Sequence, residues 1–142
     1  MKVGVIVGRF QVPYLHAGHL YLIGTAIQEC DKVIIIFGCT KGKVLNEKNP
    51  YSSEQRSDMI NKVFPGLTYT EIEDMDSNDE WSKRIDHLVA CRIYEPKDAI
   101  LYHSRDSFKE SYSGELTLKE LPEIPGFSGT QLRNELKNKT NV

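Results

Sequence analysis

The chain has few cysteines, no long apolar run and no excess of either charge. Its three cysteines, Cys30, Cys39 and Cys91, are an odd number at wide spacing. No C-x-x-C pair and no histidines at zinc-ligand separation accompany them, which argues against a disulfide framework or a structural metal site and predicts free core thiols in a reducing compartment. No stretch approaches the roughly 20 apolar residues that span a bilayer. The apolar run after the start, Val3-Gly4-Val5-Ile6-Val7, is too short for a signal peptide and has no small-residue cleavage site, so a cytoplasmic location is expected. A formal charge of -2 gives no global reason to expect nucleic acid or an anionic membrane as partner. Neither common nucleotide fingerprint is present. The first strand is not followed by G-x-G-x-x-G, and Gly42-Lys43 lacks the rest of a Walker motif, which argues against a redox dinucleotide fold and a P-loop hydrolase.

What is present is alternation. With 142 residues the chain fits one domain, residues 1–142, large enough to hold a core without staples. Lys2 to Gly8 and Lys32 to Cys39 are short Val/Ile-rich runs, the pattern of strands buried on both faces of a parallel sheet. Between them Leu20, Ile23, Ile27 and Cys30 recur at three- and four-residue steps and predict a helix with those residues inward. A second helix is expected from Ser52 or Ser53, where Ser52 and Gln55 fit a capping box, with Met59, Ile60 and Val63 buried and Pro65-Gly66 as its stop. Leu67 to Ile72 reads as an edge-leaning strand. Asn78 to Tyr94 reads as a helix through Trp81, Ile85, Leu88, Val89 and Ile93, and Asp98 to His103 as a fourth strand. Residues 104–125 have weak periodicity and receive no assignment. A last helix is expected from Ser128, capped with Gln131. Strand alternating with helix predicts an α/β, doubly wound parallel sheet.

In such sheets ligands bind beyond the carboxyl ends of the strands. The segment Gly8-Arg9-Phe10-Gln11-Val12-Pro13-Tyr14-Leu15-His16-Ala17-Gly18-His19 leaves such an end and opens a helix. Two imidazoles three residues apart share the first helical turn, where unpaired backbone N–H groups and the dipole favour an anion. Gly18 between them removes a side chain that would hold a phosphate at a distance. The stretch reads as a phosphate cradle.

These residues resemble the H-x-G-H signature of the nucleotidyltransferase superfamily. Ser128-Gly129-Thr130-Gln131-Leu132-Arg133 resembles its second signature, S-x-T-x-x-R, which implies a Rossmann-like single domain. With Gly8-Arg9-Phe10-Gln11, the segment Asn49 to Arg56, and Asn78-Asp79-Glu80-Trp81, the chain is most similar to the nicotinamide mononucleotide (NMN) adenylyltransferases, over essentially its whole length. One departure is local: the family has Pro, one residue, then His after Phe-Gln, whereas this chain carries two more residues before His16. The enlarged loop leaves room to re-aim Gln11 or Tyr14 toward a ligand.

The resemblance implies transfer of AMP from ATP to NMN, giving NAD and pyrophosphate by direct in-line attack, with Mg2+ carried by the ATP phosphates and no protein metal site. His16, His19 and Arg133 are the implied catalytic residues. Gly8, Arg9, Phe10, Gly18, His103, Arg105, Ser128, Gly129 and Thr130 are implied on the ATP side, and Arg9, Arg56, Asn78 and Trp81 on the acceptor side. Plainer readings stand beside these. Trp81 at helical spacing with Ile85 fits a core residue, Arg56 fits an ion pair with Glu54 or Asp58 or a loop-ordering cation, and His87 fits a helix surface. The acidic run Glu71, Glu73, Asp74, Asp76, Asp79 and Glu80 fits a solvated rim. Rival functions are another H-x-G-H enzyme, such as a phosphopantetheine adenylyltransferase or a cytidylyltransferase, and a non-catalytic nucleotide-sensing module. The expected partners are ATP and a small phosphorylated acceptor, without nucleic acid or membrane, and a homo-oligomer is compatible with the sequence.

Overall fold

The computed structural model describes residues 1–92, 98–104 and 106–122, without the side chains of 106, 107 and 109. The helix expected from Ser128, with its cap, lies outside them, as do Ile93 and Tyr94. Within them the order is β1 (Val3–Gly8), α1 (Ala17–Glu29), β2 (Lys32–Cys39), a 3-10 turn (Lys41–Lys43), α2 (Ser53–Asn61), β3 (Thr68–Glu73), α3 (Asn78–Ala90), β4 (Ala99–His103), α4 (Asp106–Ser111) and β5 (Thr117–Glu120). The strands form one sheet in the order β3-β2-β1-β4-β5, and every pairing is parallel. It is a Rossmann-like α/β sheet, as expected, with β3 at an edge. The expectation did not include α4 and β5. They lie in the stretch of weak periodicity, where β5 has only four residues, none of them buried.

Two cores follow from the two-residue period of the strands. Val3, Val5, Ile34, Ile36, Ile72 and Leu101 face Ile85, Leu88 and Val89 of α3. Ile6, Val33, Ile35, Phe37 and Tyr102 face Ile23 and Ala26 of α1 and Ile60 of α2. Burying each of these large aliphatic side chains contributes roughly 1.5–3 kcal/mol. Gly4 lets α1 approach closely: a Cβ there would meet Cys30 Sγ at 3.2 Å and Ala26 Cβ at 3.3 Å.

The helix faces need correction. In α1 the inward stripe is Ile23 and Ala26 with Leu22 and Cys30 beside it, whereas Leu20 and Ile27 are exposed. The face is rotated because the residues that fit under the sheet repeat from Ile23 through Ala26 to Cys30. In α2 Ile60 is buried but Val63, beyond the helix end at Asn61, is half exposed. Cys39 is buried and Cys30 partly so, while Cys91 is exposed and not a core thiol.

Candidate functional site

Strand order reverses between β1 and β4, so the loops after these parallel neighbours open side by side at one end of the sheet. The loop after β1 turns sharply. Phe10 has φ of +51°, a left-handed backbone that costs a non-glycine residue energy and needs support from its surroundings. Support comes from its ring, which is buried against Phe37 at 6.0 Å and His19 at 5.0 Å between centroids. A Cβ on Gly8 would meet that ring at 2.9 Å. Gly8 and Phe10 thus build the floor beneath His19.

His16 is the N-cap of α1. Its Nδ1 accepts from the backbone N–H groups of Gly18 (3.0 Å) and His19 (3.4 Å), while His19 Nδ1 accepts from the N–H of His16 (3.4 Å). This is a capping box made of two imidazoles. The rings stack, 3.7 Å between centroids and 22° between planes. Because each Nδ1 accepts, the neutral rings carry their proton on Nε2. Gly18 has a reason beyond the one the sequence suggested: a Cβ there would meet His16 Cε1 at 2.9 Å, so the stacked pair itself requires glycine.

Arg9 crosses the end of β2, where a Cβ on Gly38 would meet its Cγ at 3.3 Å. Its Nη1 donates to Asn49 Oδ1 at 3.1 Å and its Nη2 to the Asp74 carboxylate. Arg56 has a different place from the acceptor side implied for it. It is 3 % exposed, and Nη1 donates to the carbonyls of Arg9 (2.7 Å) and Gly38 (2.8 Å). Nε donates to Ser52 O, and Nη2 to Ser53 Oγ and Cys39 Sγ, with the guanidinium 4.9 Å from the Phe37 ring centre. All five donors serve the protein, so Arg56 orders the loops rather than meeting an acceptor.

Gln11 is likewise committed. Its carboxamide bonds both ways with the backbone of Tyr51, donating to O at 3.0 Å and accepting from N at 2.8 Å, and it is buried. Tyr14 is half exposed on the enlarged loop. Gln11 therefore ties the loop to the segment before α2.

Across the cleft, His103 ends β4, buried and stacked on Phe108 at 5.3 Å; Phe108 in turn meets Trp81 edge-on at 5.8 Å. Trp81 is half buried against the α3 core, and Asn78 is exposed at the start of α3. An aromatic row thus runs from β4 to the start of α3. Arg105, Ser128, Gly129, Thr130 and Arg133 lie outside the described residues.

The acidic run is a rim, but an ion-paired one. Glu71 bonds Lys43 at 2.5 Å and Ser53 at 2.5 Å, Asp76 bonds Lys41 at 2.5 Å, and Asp74 bonds Arg9. The hydrogen bond from Lys43, aided by Ser53, holds the Glu71 carboxyl below its ordinary range; Lys41 does the same for Asp76. Sequence reasoning missed Asp74 as a partner of Arg9. The available signal was its place just past a strand end in a parallel sheet. Among the described residues no group of three or more His, Cys, Asp or Glu converges as a metal site, and no helix is long and apolar enough to cross a membrane.

The cytidylyltransferase-like family model matches residues 5–135. The chain belongs to the cytidylyltransferase-like family. Membership makes it nucleotidyltransferase-like in family and fold, and it covers both the cradle and the S-x-T-x-x-R stretch. Among solved structures it is similar to NadR in complex with NAD and AMP-PNP, with a TM-score of 0.68 and 16 % identity. That similarity covers 99 % of this chain and 44 % of NadR. A second NadR structure, in complex with NR, gives a TM-score of 0.61 at 14 % identity over 99 % of this chain and 40 % of the other. The chain therefore spans less than half the length of these relatives, and at such identity the likeness is one of fold. A sequence comparison with curated proteins found no match.

Proposed function

We propose that this member of the cytidylyltransferase-like family is an NMN adenylyltransferase that takes MgATP and NMN to NAD and magnesium pyrophosphate. The observation that carries the reading is the stacked imidazole pair at the start of α1, whose Nδ1 atoms are occupied by backbone N–H groups. In the proposed reaction a phosphate oxygen of NMN attacks the α-phosphorus of ATP in line, the bond to the β-phosphate bridge breaks, and pyrophosphate leaves. Charge grows on the non-bridging and leaving oxygens. Two Nε2–H donors at a helix start suit such charge, and a preorganised donor of this kind is worth about 100- to 1000-fold in rate. His19 is assigned to the α-phosphate and His16 to the adjoining phosphates. Ser128, Thr130 and Arg133 are assigned to the β and γ phosphates, and Arg9 to the phosphate of NMN. Magnesium enters on the triphosphate as part of the substrate.

Trp81, with Asn78 beside it, is assigned to the cationic nicotinamide ring, which favours a π face. NadR, the structural relative, has been seen with NAD and AMP-PNP together, which supports an adenylyl donor and a nicotinamide acceptor as the first pair to test. The test is pyrophosphate release by the purified chain with ATP or CTP and magnesium, against NMN, nicotinate mononucleotide and phosphopantetheine. Release with ATP and NMN is expected. Release with another pair reassigns the substrate, and ATP binding without release from any pair replaces the enzyme with a sensing module. Trp81→Ala is expected to raise the KM for NMN about tenfold with little change in kcat. An unchanged KM removes Trp81 from the acceptor side.

A further inference from the structure

Arg9 is held at three points. Its carbonyl receives Arg56, its stem lies on Gly38, and its two terminal nitrogens bond Asn49 and Asp74. The two partners are themselves anchored. Asn49 donates twice to Asn46 Oδ1, from N at 2.8 Å and from Nδ2 at 3.3 Å, and its carbonyl accepts from Asn46 N at 3.0 Å. Asp74 donates its backbone N–H to Cys39 O at 2.8 Å, which fixes it beyond the end of β2. Among the described residues two of the five guanidinium donors are used, and the side chain is 43 % exposed. The remaining donors are on a side chain held by these contacts beyond the end of β1.

From this geometry we infer that Asp74, with Asn49, is a positioning residue that presents Arg9 to a phosphomonoester on the acceptor. The inference rests on the acceptor side assigned above. Holding a long side chain in one rotamer before binding removes an ordering cost of about 0.5–1.5 kcal/mol that the ligand would otherwise bear. The carboxylate also neutralises one unit of guanidinium charge. Discrimination for a phosphomonoester then comes from the remaining guanidinium N–H donors, which bond phosphate oxygens that a nucleoside lacks.

The experiment compares Asp74→Ala, Asp74→Asn and Asn49→Ala by steady-state kinetics, and by calorimetry with NMN and with nicotinamide riboside in the absence of ATP. For Asp74→Ala the KM and Kd for NMN should rise about tenfold, with kcat and the KM for ATP within about twofold. Asp74→Asn, which keeps an accepting oxygen, should restore NMN binding to within about threefold, and Asn49→Ala should fall between them. Riboside binding should not respond to any of them. Tighter NMN binding by both Asp74 variants would make Asp74 a competitor for Arg9, and parallel loss of kcat, ATP binding and thermal stability would make it purely structural; either result overturns the inference. Weaker NMN binding by Asp74→Ala in a protein without turnover would sink the enzyme reading alone. Normal turnover with an unmoved KM would sink the inference alone. A wild-type chain that binds no NMN sinks both.

Discussion

Two helices of this chain begin with the same reciprocal lock, built from different residues. At α2 the lock is Ser52 with Gln55: Ser52 Oγ accepts from the Gln55 N–H at 3.2 Å, and Gln55 Oε1 accepts from the Ser52 N–H at 2.9 Å. At α1 the same bonds are made by His16 and His19. Ser and Gln satisfy backbone donors with little left over. Two imidazoles satisfy the same donors through Nδ1 and bring a second ring nitrogen, Nε2, to the helix start, so one lock only starts a helix while the other also places the groups to which the chemistry is assigned.

The largest expected effect comes from exchanging one lock for the other. His16→Ser with His19→Gln should keep α1 folded, shifting stability by no more than about 1 kcal/mol, while turnover falls at least about 100-fold. Turnover retained in that double variant, measured as pyrophosphate release, would break the comparison. Next is Arg56→Ala, which strips donors from the buried carbonyls of Arg9 and Gly38. Each orphaned carbonyl costs about 1–3 kcal/mol, so denaturant melting should show a loss of several kcal/mol. Ser52→Ala removes only a cap and should cost about 1 kcal/mol in the same assay, with turnover unchanged. The smallest effect concerns the rim. The Glu71 carboxyl is held below its ordinary value of 4.5, chiefly by Lys43, so its contribution is present above that pH and lost as pH falls through the lower folded value. Glu71→Gln should lower stability slightly at neutral pH, with the difference from the wild type shrinking as pH falls below about 4.5, so that the acid limb is flatter; an unaltered acid limb would remove the pair from the account.

Much of the fold was legible because strands buried on both faces write themselves as Val/Ile runs: β1 and β2 match their runs within a residue. The Ser52/Gln55 box was legible because it is local. What escaped depended on distant partners. The inward stripe of α1 was misread by one step, since Leu20 is as apolar as Leu22 and only the sheet beneath distinguishes them. The strand β5 carries no buried residue, so no pattern announced it. At the site, the placing of two histidines at a helix start was readable, whereas their stacking was not. The fate of Arg56 and Gln11 turned on backbone groups far along the chain, which sequence spacing cannot reveal, and Asp74 became a partner of Arg9 only through the order of β1, β2 and β3.

The buried guanidinium of Arg56 rivets three pieces together: the first turn of α2, the end of β2 and the loop that begins at Arg9. None of the three can peel away without breaking the bonds of this guanidinium to the carbonyls of Arg9 and Gly38. Loosening of α2 and collapse of the cleft mouth must then be one event, and amide protons in both regions should exchange with solvent at a shared rate.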